Sequence, residues 1–393
     1  MRGALVLLVA VWCAACGPLS PPKSDAGQGG GVGGGTGGGV GGGLGGGLGG
    51  GTGGGLGGGT GGGLGGGADG GTGGGLGGGT GGGGGGSTQR TFATMILGST
   101  PTSGGAVKGF AESGGAIWAV SEHGYIFRST GGEFTPLVRL QIDGSNAYVK
   151  DFTATPDGTF FVLSTLRLAV CSANCDQQAN WTDYATATSA MVLETVCGNA
   201  SNDVIAVGAD SSYTGVAYRW NGSSFRSVST NLGLDSPAGC WRDSAGDLVF
   251  GARDGVVHYR GGGFSAEPLP LVASSVSAQT WRTGAVVGAD EVVAGWAKRL
   301  AKRVPGGLSL LIDEGSGEFR AMAVPSATEA WVFGGGPSAG ASNAWRFDGQ
   351  RWAKLVPPLP IYRAHAAFLS STGALYVGGE DDNFNPVILK GTP

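Results

Sequence analysis

Residues 87–393 are predicted to form an all-β domain of repeated four-stranded units. Short runs rich in β-branched and aromatic residues recur between glycine turns, and no apolar pattern of helical period persists. An apolar second strand occurs seven times, at positions 118, 161, 205, 248, 292, 331 and 375, in steps of 43, 44, 43, 44, 39 and 44 residues. Four short strands and a period near 43 residues are typical of a propeller blade. The predicted fold class is therefore a seven-bladed β-propeller.

A second landmark marks the last strand of six units. A large apolar residue, aromatic in all but one unit, follows a turn there: Phe134, Trp181, Phe225, Phe264, Leu308 and Trp352. Two of the turns are Asn221-Gly222 and Asp348-Gly349, whose residues tolerate the positive φ of a tight hairpin. This landmark is independent of the apolar second strands and has the same period.

The ends of the domain predict how the ring of blades closes. The seventh unit stops after its third strand at 387–390, and the segment 91–97 before the first unit has an aromatic residue, Phe92, near its start. We therefore expect the N-terminal segment to supply the fourth strand of the last blade. Such a closure removes an open sheet edge.

The first 86 residues are predicted to lie outside this domain. Residues 27–86 hold 45 of the chain's 86 glycines in a Gly-Gly-Gly-X pattern, and collagen is excluded because it needs glycine at every third position. The tract has too few side chains to bury to offset the conformational entropy lost on folding. A disordered tether with a reach of roughly 40 to 45 Å is therefore expected. A spacer of selected length and an expanded low-complexity repeat both remain open.

The N-terminus has the pattern of an export signal. A nine-residue apolar run at 4–12 follows Arg2 and is too short to span a bilayer, so residues 1–15 are interpreted as a signal peptide. The segment Cys13-Ala14-Ala15-Cys16-Gly17 resembles the lipobox of bacterial lipoproteins, with cysteine where the first position is usually leucine.

The lipobox resemblance implies cleavage after Ala15 and lipidation of Cys16, with residues 16–26 as the lipidated N-terminus. Gly17 stands where an aspartate commonly retains lipoproteins in the inner membrane. The resemblance therefore implies an exported protein anchored in the outer membrane, with its domain facing the periplasm or the cell surface. Plain secretion after cleavage at Ala15 is the alternative.

The repeats themselves resemble the degenerate propeller repeats of extracytoplasmic bacterial proteins, which are similar to BNR and Kelch repeats. The resemblance rests on Asn202-Asp203-Val204-Ile205-Ala206-Val207-Gly208 and Trp220-Asn221-Gly222. The turn at 128–134 is similar to an Asp-box turn without its aspartate. The resemblance implies the propeller fold and only hints at sialidase kinship, because a propeller fold does not define a function.

Charge and cysteine content narrow the expected partners. Residues 87–393 carry 22 basic and 26 acidic side chains, a net charge of −4, so nucleic acid is not an expected partner. Cys171 and Cys175 are predicted to bridge within a hairpin loop, in keeping with export to an oxidising compartment. Cys197 and Cys240 stand one blade period apart; free buried thiols are the favoured interpretation, and a bridge is the alternative.

Other polar groups are interpreted as structural. His123, His258 and His365 each lie in a different unit and are expected on hairpins or strand surfaces. The acidic segment 380–385 departs from a calcium loop and is expected to be a solvated loop between strands. The basic run 298–303 is expected to be an edge strand guarded against pairing. No catalytic residue, metal site or cofactor is predicted.

The sequence thus favours a monomeric, membrane-anchored propeller that binds a protein or carbohydrate ligand at its channel or loop faces. The residues expected at the channel are mostly small or apolar. The main alternative is a sialidase-like glycoside hydrolase, and a structural surface component is a third class. Arg242 and Arg282 each follow a tryptophan at predicted matching positions of the repeat, and Arg320 stands near the corresponding strand. Convergence of these three arginines beside a carboxylate would favour the hydrolase.

Overall fold

The computed structural model describes residues 90–95, 97, 104–186, 191–272, 279–335, 344–356 and 358–393. The predicted signal peptide, Cys16 and the glycine tract lie outside the described residues. In the described part of the chain the only helical element is a 3₁₀ turn, Gln178–Asn180, and no helix is long and apolar enough to cross a membrane.

The described strands form seven antiparallel blades of four strands each, and one residue pair, Gly335 with Arg363, joins blades 6 and 7 into a single eight-stranded sheet. The inner strands of blades 1 to 7 are Val107–Ser113, Val149–Ala154, Met191–Ala200, Ala238–Arg242, Trp281–Val287, Glu318–Ser326 and Arg363–Leu369. The second strands are Ala116–Ser121, Phe160–Ser164, Asp203–Asp210, Leu248–Ala252, Asp290–Gly295, Glu329–Gly335 and Leu375–Glu380.

The third strands are Tyr125–Ser129, Arg167–Cys171, Gly215–Trp220, Gly255–Arg260, Arg299–Val304, Ala344–Phe347 and Pro386–Thr392. The outer strands are Thr135–Arg139, Thr182–Ala185, Phe225–Ser229, Gly263–Pro268, Gly307–Asp313, Trp352–Lys354 and, for blade 7, Thr91–Thr94. A small hairpin of Gln141–Ile142 and Ser145–Asn146 lies between blades 1 and 2.

The ring of blades closes in the way the sequence predicts. Each inner strand contacts the inner strands of both neighbouring blades, and that of blade 7 returns to that of blade 1. The outer strand of blade 7 comes from the N-terminal side: Thr91 pairs with Thr392 and Thr94 with Leu389, antiparallel to the third strand. The propeller is therefore closed by pairing between its first and last described strands.

The hydrophobic core is divided among the interfaces between blades. Seven clusters of buried side chains each join residues from two neighbouring blades, including blades 7 and 1. All seven predicted second strands contribute residues to these clusters, because neighbouring blades cover both faces of each strand. The pairing of inner and second strands makes Tyr376, and not Leu375, the residue of blade 7 that is equivalent to the other repeat positions. The predicted seventh position was therefore wrong by one residue.

A buried arginine secures the closing strand. Arg90 donates from Nε to Glu329 Oε1 at 2.7 Å and from Nη1 to the carbonyl oxygen of Gly373 at 2.7 Å. The same carboxylate oxygen accepts a hydrogen bond from the indole of Trp331 at 2.8 Å. The ring of Trp331 packs edge-on against Phe92, with the ring centroids 5.3 Å apart. Arg90 thus links the closing strand to blade 6 as well as to blade 7.

The basic run is not an edge strand, which corrects the prediction made for it. Arg299–Val304 lies between the second and outer strands of blade 5, and its backbone pairs on both sides. Arg299 pairs with Asp313 at 3.2 Å, and Arg303 pairs with Glu291 at 2.8 Å and with Glu267 of blade 4. The arginine side chains of this run therefore form ion pairs with neighbouring strands and with blade 4, and they do not protect an open sheet edge.

Candidate functional site

Every described blade has a β-bulge at the same place in its inner strand. In blade 3, Leu193 lies opposite Gly208 and Thr195 opposite Val207, so Glu194 is the extra residue. The same step occurs in the other six inner strands. We call the seven extra residues the bulge ring: Lys108, Lys150, Glu194, Gly239, Arg282, Arg320 and His365. A bulge re-aims its side chain, and six of these seven side chains are titratable.

The bulge ring lies at one end of the central channel. Inner strands begin at this end and second strands finish there, because the two are antiparallel; Val107, for example, pairs with Ser121. We call this end the mouth face. Here a cavity of about 680 Å³ is lined by all seven residues of the bulge ring. Its size is that of a small-molecule or peptide-segment site.

On one side of the cavity each cation has its own carboxylate, and we call Lys108, Lys150 and Glu194 the paired side. Lys108 Nζ lies 3.0 Å from Glu122 Oε1, and Lys150 Nζ lies 3.4 Å from Glu194 Oε1. Burial acts to raise the pKa of Glu122, but the charge of Lys108 and the hydroxyl of Tyr148 outweigh it and leave the pKa lowered.

Tyr148 completes the paired side through its hydroxyl. It donates to Glu122 Oε1 at 2.7 Å, and this hydrogen bond, with burial, raises the pKa of Tyr148 to about 12. The tyrosine therefore stays a neutral donor throughout the physiological range.

On the other side of the cavity two guanidinium groups share one carboxylate, and we call Gly239, Arg282 and Arg320 the open side. Arg282 donates from Nε to Glu318 Oε1 at 2.6 Å, and Arg320 Nη2 lies 2.7 Å from Glu318 Oε2. Glu318 is buried, whereas the two arginine side chains are about one-third exposed. Gly239 has no side chain, so the open side carries a surplus of one positive charge.

His365 stands between the two sides. Arg320 Nη1 lies 3.1 Å from His365 Nδ1, and Glu380 Oε1 lies 3.9 Å from His365 Nε2 and 3.3 Å from Arg363 Nη1. Burial lowers the pKa of His365 to about 4, so its imidazole is neutral near pH 7 and accepts from Arg320. His365 is therefore a buried cavity residue, which corrects the prediction of a hairpin or strand-surface position.

Asp151, next to the bulge residue of blade 2, is held by three donors. Its Oδ2 accepts from the hydroxyl of Thr195 at 2.6 Å and the backbone N–H of Val196 at 2.9 Å, and its Oδ1 accepts from the N–H of Phe152 at 2.8 Å. Burial nevertheless raises the pKa of Asp151 to about 6. This carboxylate ties the inner strand of blade 2 to that of blade 3.

Exposed aromatic side chains occur at the mouth face, and two of them line the cavity. Among the described residues the exposed large aromatic side chains are Tyr148, Tyr213, Trp296 and Phe384. Tyr148 and Phe384 line the cavity, while Tyr213 and Trp296 lie in turns that follow second strands. All four therefore stand at the end of the channel that carries the bulge ring.

The three arginines singled out in the sequence do not converge. Arg282 and Arg320 meet at Glu318, but Arg242 donates to Asn199 Oδ1 at 2.7 Å and to the carbonyl oxygen of Gly246 at 2.9 Å. The strand register explains the error. Ala238 and Trp281 each stand just before the bulge of their own inner strand and are therefore equivalent positions. The bulge residues that follow them are Gly239 and Arg282, so Arg282 matches Gly239 and not Arg242. Arg242 lies at the far end of its inner strand.

The structure joins both cysteine pairs. Cys171 and Cys175 form a disulfide with a Cα separation of 5.8 Å inside blade 2. Cys197 and Cys240 also form a disulfide, with a Cα separation of 6.5 Å. Free thiols were favoured for the second pair; the bridge forms because the two cysteines, on adjacent inner strands and two positions apart in the register, come within bonding reach. This bridge lines the cavity beside Gly239.

The remaining candidates lie outside the bulge ring. Glu380 is the buried last residue of a second strand, not part of a solvated loop as expected, whereas Asp381 accepts from the backbone N–H of Asn385 at 2.8 Å within a turn. His258 bonds Glu267 at 2.9 Å, and the His123 ring lies beside Tyr148. No group of three or more metal-ligating side chains occurs among the residues that the structure describes.

Sequence reasoning missed most of the bulge ring. The channel was expected to be lined by small or apolar residues, which holds for Gly239 but not for Lys108, Lys150 or Glu194. A signal was present, because each bulge residue stands nine to eleven residues before the repeat position of its own second strand. The signal was concealed because the bulge shifts the inner-strand alternation by one residue.

The fold and this cavity define the class of the protein as a seven-bladed β-propeller with a charged channel mouth. No protein-family model and no curated protein matches the sequence. Solved structures that are similar to it are β-propeller-like. The extracellular domain of a one-component system from B. thetaiotaomicron has a TM-score of 0.57 at 12% identity over 76% of this chain, which spans only 39% of that one.

Two further similar structures are matched over nearly their whole length. YCF48, solved bound to D1 peptide, has a TM-score of 0.56 at 14% identity, covering 77% of this chain and 95% of that one. Inactive virginiamycin B lyase from Staphylococcus aureus, solved with quinupristin, has a TM-score of 0.58 at 11% identity, covering 78% and 100%. At such identities these likenesses establish the fold alone.

Proposed function

We propose that this protein is a non-enzymatic binding module that takes a protein or carbohydrate ligand at its mouth face and is held at the cell envelope by a lipid on Cys16. The observation that carries the proposal is the convergence of the bulge ring on one cavity, with Tyr148 and Phe384 exposed in its wall and two more exposed aromatic residues at the same end of the channel. Aromatic and arginine side chains around a concave site are the usual anchors of recognition.

Binding is favoured over hydrolysis by how the charged groups of the cavity are used. Glu122, Glu194, Glu318 and Glu380 each lie beside a cationic side chain, and Asp151 is held by three hydrogen-bond donors. A glycosidase needs a carboxyl group free to donate its proton to a leaving group, with a second carboxylate facing it. YCF48 bound to D1 peptide is a precedent for peptide binding by a propeller of this kind, at the level of fold only.

The ligand site is tested with peptide and glycan arrays probed by the full chain. The rim variant Tyr148→Ala/Trp296→Ala/Phe384→Ala is expected to lose array binding at least about tenfold, because each anchor contributes on the order of 1 kcal/mol or more. The matched control removes three exposed side chains from outer strands: Leu137→Ala/Val228→Ala/Leu311→Ala. Equal binding by the rim variant and the control would rule out the mouth face as the site.

The anchor is tested by detergent partitioning of the intact protein. The wild type is expected in the membrane fraction and the Cys16→Ser variant in the soluble fraction, because each buried methylene of an acyl chain contributes ~0.8 kcal/mol. The glycine tract would then act as a spacer between the membrane and the propeller. A soluble wild type, unchanged by Cys16→Ser, would leave plain secretion as the explanation.

A further inference from the structure

The open side of the cavity has more donors than the protein itself uses. Glu318 presents both oxygens to Arg282 and Arg320, and Arg320 also reaches His365 with Nη1. Among the described residues no hydrogen bond or ion pair engages Nη1 or Nη2 of Arg282. The Arg282 side chain is 34% exposed and lines the cavity. Two parallel N–H donors of one guanidinium are therefore available there.

Gly239 allows the neighbouring strand to lie close to Arg282. It occupies the bulge position of blade 4, next to that of Arg282 in blade 5, and it is the one bulge position without a side chain. A Cβ atom at residue 239 would overlap the carbonyl oxygen of Arg282. The glycine is thus required for the close approach of the inner strands of blades 4 and 5, and it places the backbone of residue 239 directly against that of Arg282.

An exposed aromatic residue, Trp296, follows the second strand of blade 5 at the same end of the channel. The backbone of Trp296 forms an isolated bridge with Glu318, and its side chain is 58% exposed. A ligand group held by Arg282 would therefore have an apolar surface nearby for the atoms that carry it. Anchors of this kind, an aromatic ring beside a guanidinium, are common at binding sites.

We infer that Arg282, with Gly239 and Arg320 beside it, binds one carboxylate group of the ligand. The inference rests on the proposed function and specifies what the cavity recognises. A guanidinium binds a carboxylate through two parallel hydrogen bonds in one plane. The surplus on the open side is one positive charge, which matches a monoanion. A phosphate dianion is disfavoured, since its charge exceeds this surplus.

The carboxylate belongs to the C-terminus of a peptide or to a uronic acid, and matched probes distinguish these sources. N-acetyl-Ala-Ala is compared with its C-terminal amide, and glucuronate with glucuronamide, by calorimetric titration of the full chain. For the source that is recognised, the acid is expected to bind about ten to one hundred times more tightly than its amide, the range expected of charge-assisted hydrogen bonds. The other acid is expected to show no preference.

Two arginine variants assign the preference to the open side. Arg282→Met is expected to make acid and amide bind equally, and Arg282→Lys is expected to keep the pair with Glu318 but lose most of the preference. Arg242→Met is the matched control, because Arg242 also lies on an inner strand but bonds only Asn199 and backbone carbonyl groups. The control is expected to keep the full preference.

The outcomes separate this inference from the function on which it rests. If neither acid binds better than its amide, or if Arg282→Met keeps the preference, the carboxylate subsite is wrong. Array binding that is lost in the rim variant would still support a ligand site on the mouth face. If array binding survives in the rim variant, the proposed ligand site is wrong whatever the probes show.

Discussion

The paired side and the open side of the bulge ring have the same backbone and different chemistry. On the paired side, the ammonium groups of Lys108 and Lys150 each meet a separate carboxylate. On the open side, two guanidinium groups share Glu318. The bulge recurs in every described blade, so the fold alone does not explain this difference. The comparison indicates that a repeated scaffold acquires a site where the side chains of the repeat differ.

The two disulfides give the largest expected contrast between the sides. Cys197 and Cys240 flank the open side and are 43 residues apart, whereas Cys171 and Cys175 lie in blade 2 and are four residues apart. A longer loop restricts the unfolded chain more, so replacing both cysteines by serine should cost about 4 kcal/mol for the first pair and about 2 kcal/mol for the second. Urea unfolding measures both; equal losses would contradict the loop-entropy explanation.

Gly239→Ala is expected to damage the open side next most strongly. Gly239 has φ +67°, and the added methyl group would meet the carbonyl oxygen of Arg282. Left-handed strain and overpacking together should lower the free energy of unfolding by about 3 kcal/mol. Gly246→Ala, also in blade 4 and with φ +85° but open space around it, should lose only about 1 kcal/mol. Similar losses in the two variants would mean that close approach is unimportant.

Removing one carboxylate from each side compares shared and separate ion pairs. Glu318→Gln leaves two guanidinium groups beside a neutral amide, and a loss of about 2 kcal/mol is expected, less than for a fully buried pair because the arginines are partly solvated. Glu194→Gln breaks a pair whose groups are both partly exposed, and should cost less than about 0.5 kcal/mol. Chemical denaturation of both variants at low and high salt checks the order.

A pH dependence, smaller near pH 5.5 than the losses expected on the open side, is expected at the boundary of the two sides. His365 has a pKa of about 4 when folded and about 6.5 when unfolded, so the unfolded chain binds the proton first as the pH falls. Stability should decrease from pH 6.5 toward pH 4, by about 1 kcal/mol at pH 5.5.

His365→Gln keeps an acceptor for Arg320 and should remove this contribution from the pH profile. Asp151 acts in the opposite sense: its pKa is raised to about 6, so its contribution is complete below pH 4 and is lost as the pH rises through 6. Asp151→Asn should therefore steepen the acid-side loss of stability. Unfolding curves collected from pH 4 to pH 7 measure both slopes, and parallel profiles for wild type and His365→Gln would contradict the assignment.

The fold was predictable from the sequence because its signals are periodic. Apolar second strands and turn residues recur with each blade, and the missing fourth strand of the last unit left only segment 91–97 to complete it. The site was less predictable, because a bulge is a local change of register that alternation cannot locate. Counting from Trp241 and Trp281 aligned Arg242 with Arg282, while the structure aligns Gly239 with Arg282.

The burial of polar groups was also difficult to predict from the sequence. The side chains of His365 and Glu380 are only 10% and 6% exposed, and the packing of neighbouring blades around them decides this burial. The disulfide between Cys197 and Cys240 likewise depends on the distance between two inner strands. One blade period of separation indicates adjacency but does not give that distance.

The way in which Arg90 holds the closing strand has a mechanical consequence. Any tension transmitted along the chain from residues before position 90 enters the propeller at this arginine, whose guanidinium is fixed to Glu329 and to the carbonyl oxygen of Gly373. The load is thus shared between blades 6 and 7 before the four residue pairs of the closing strand are stretched. A pull on the N-terminal side is therefore resisted first by the ion pair and hydrogen bonds of Arg90, which join two blades.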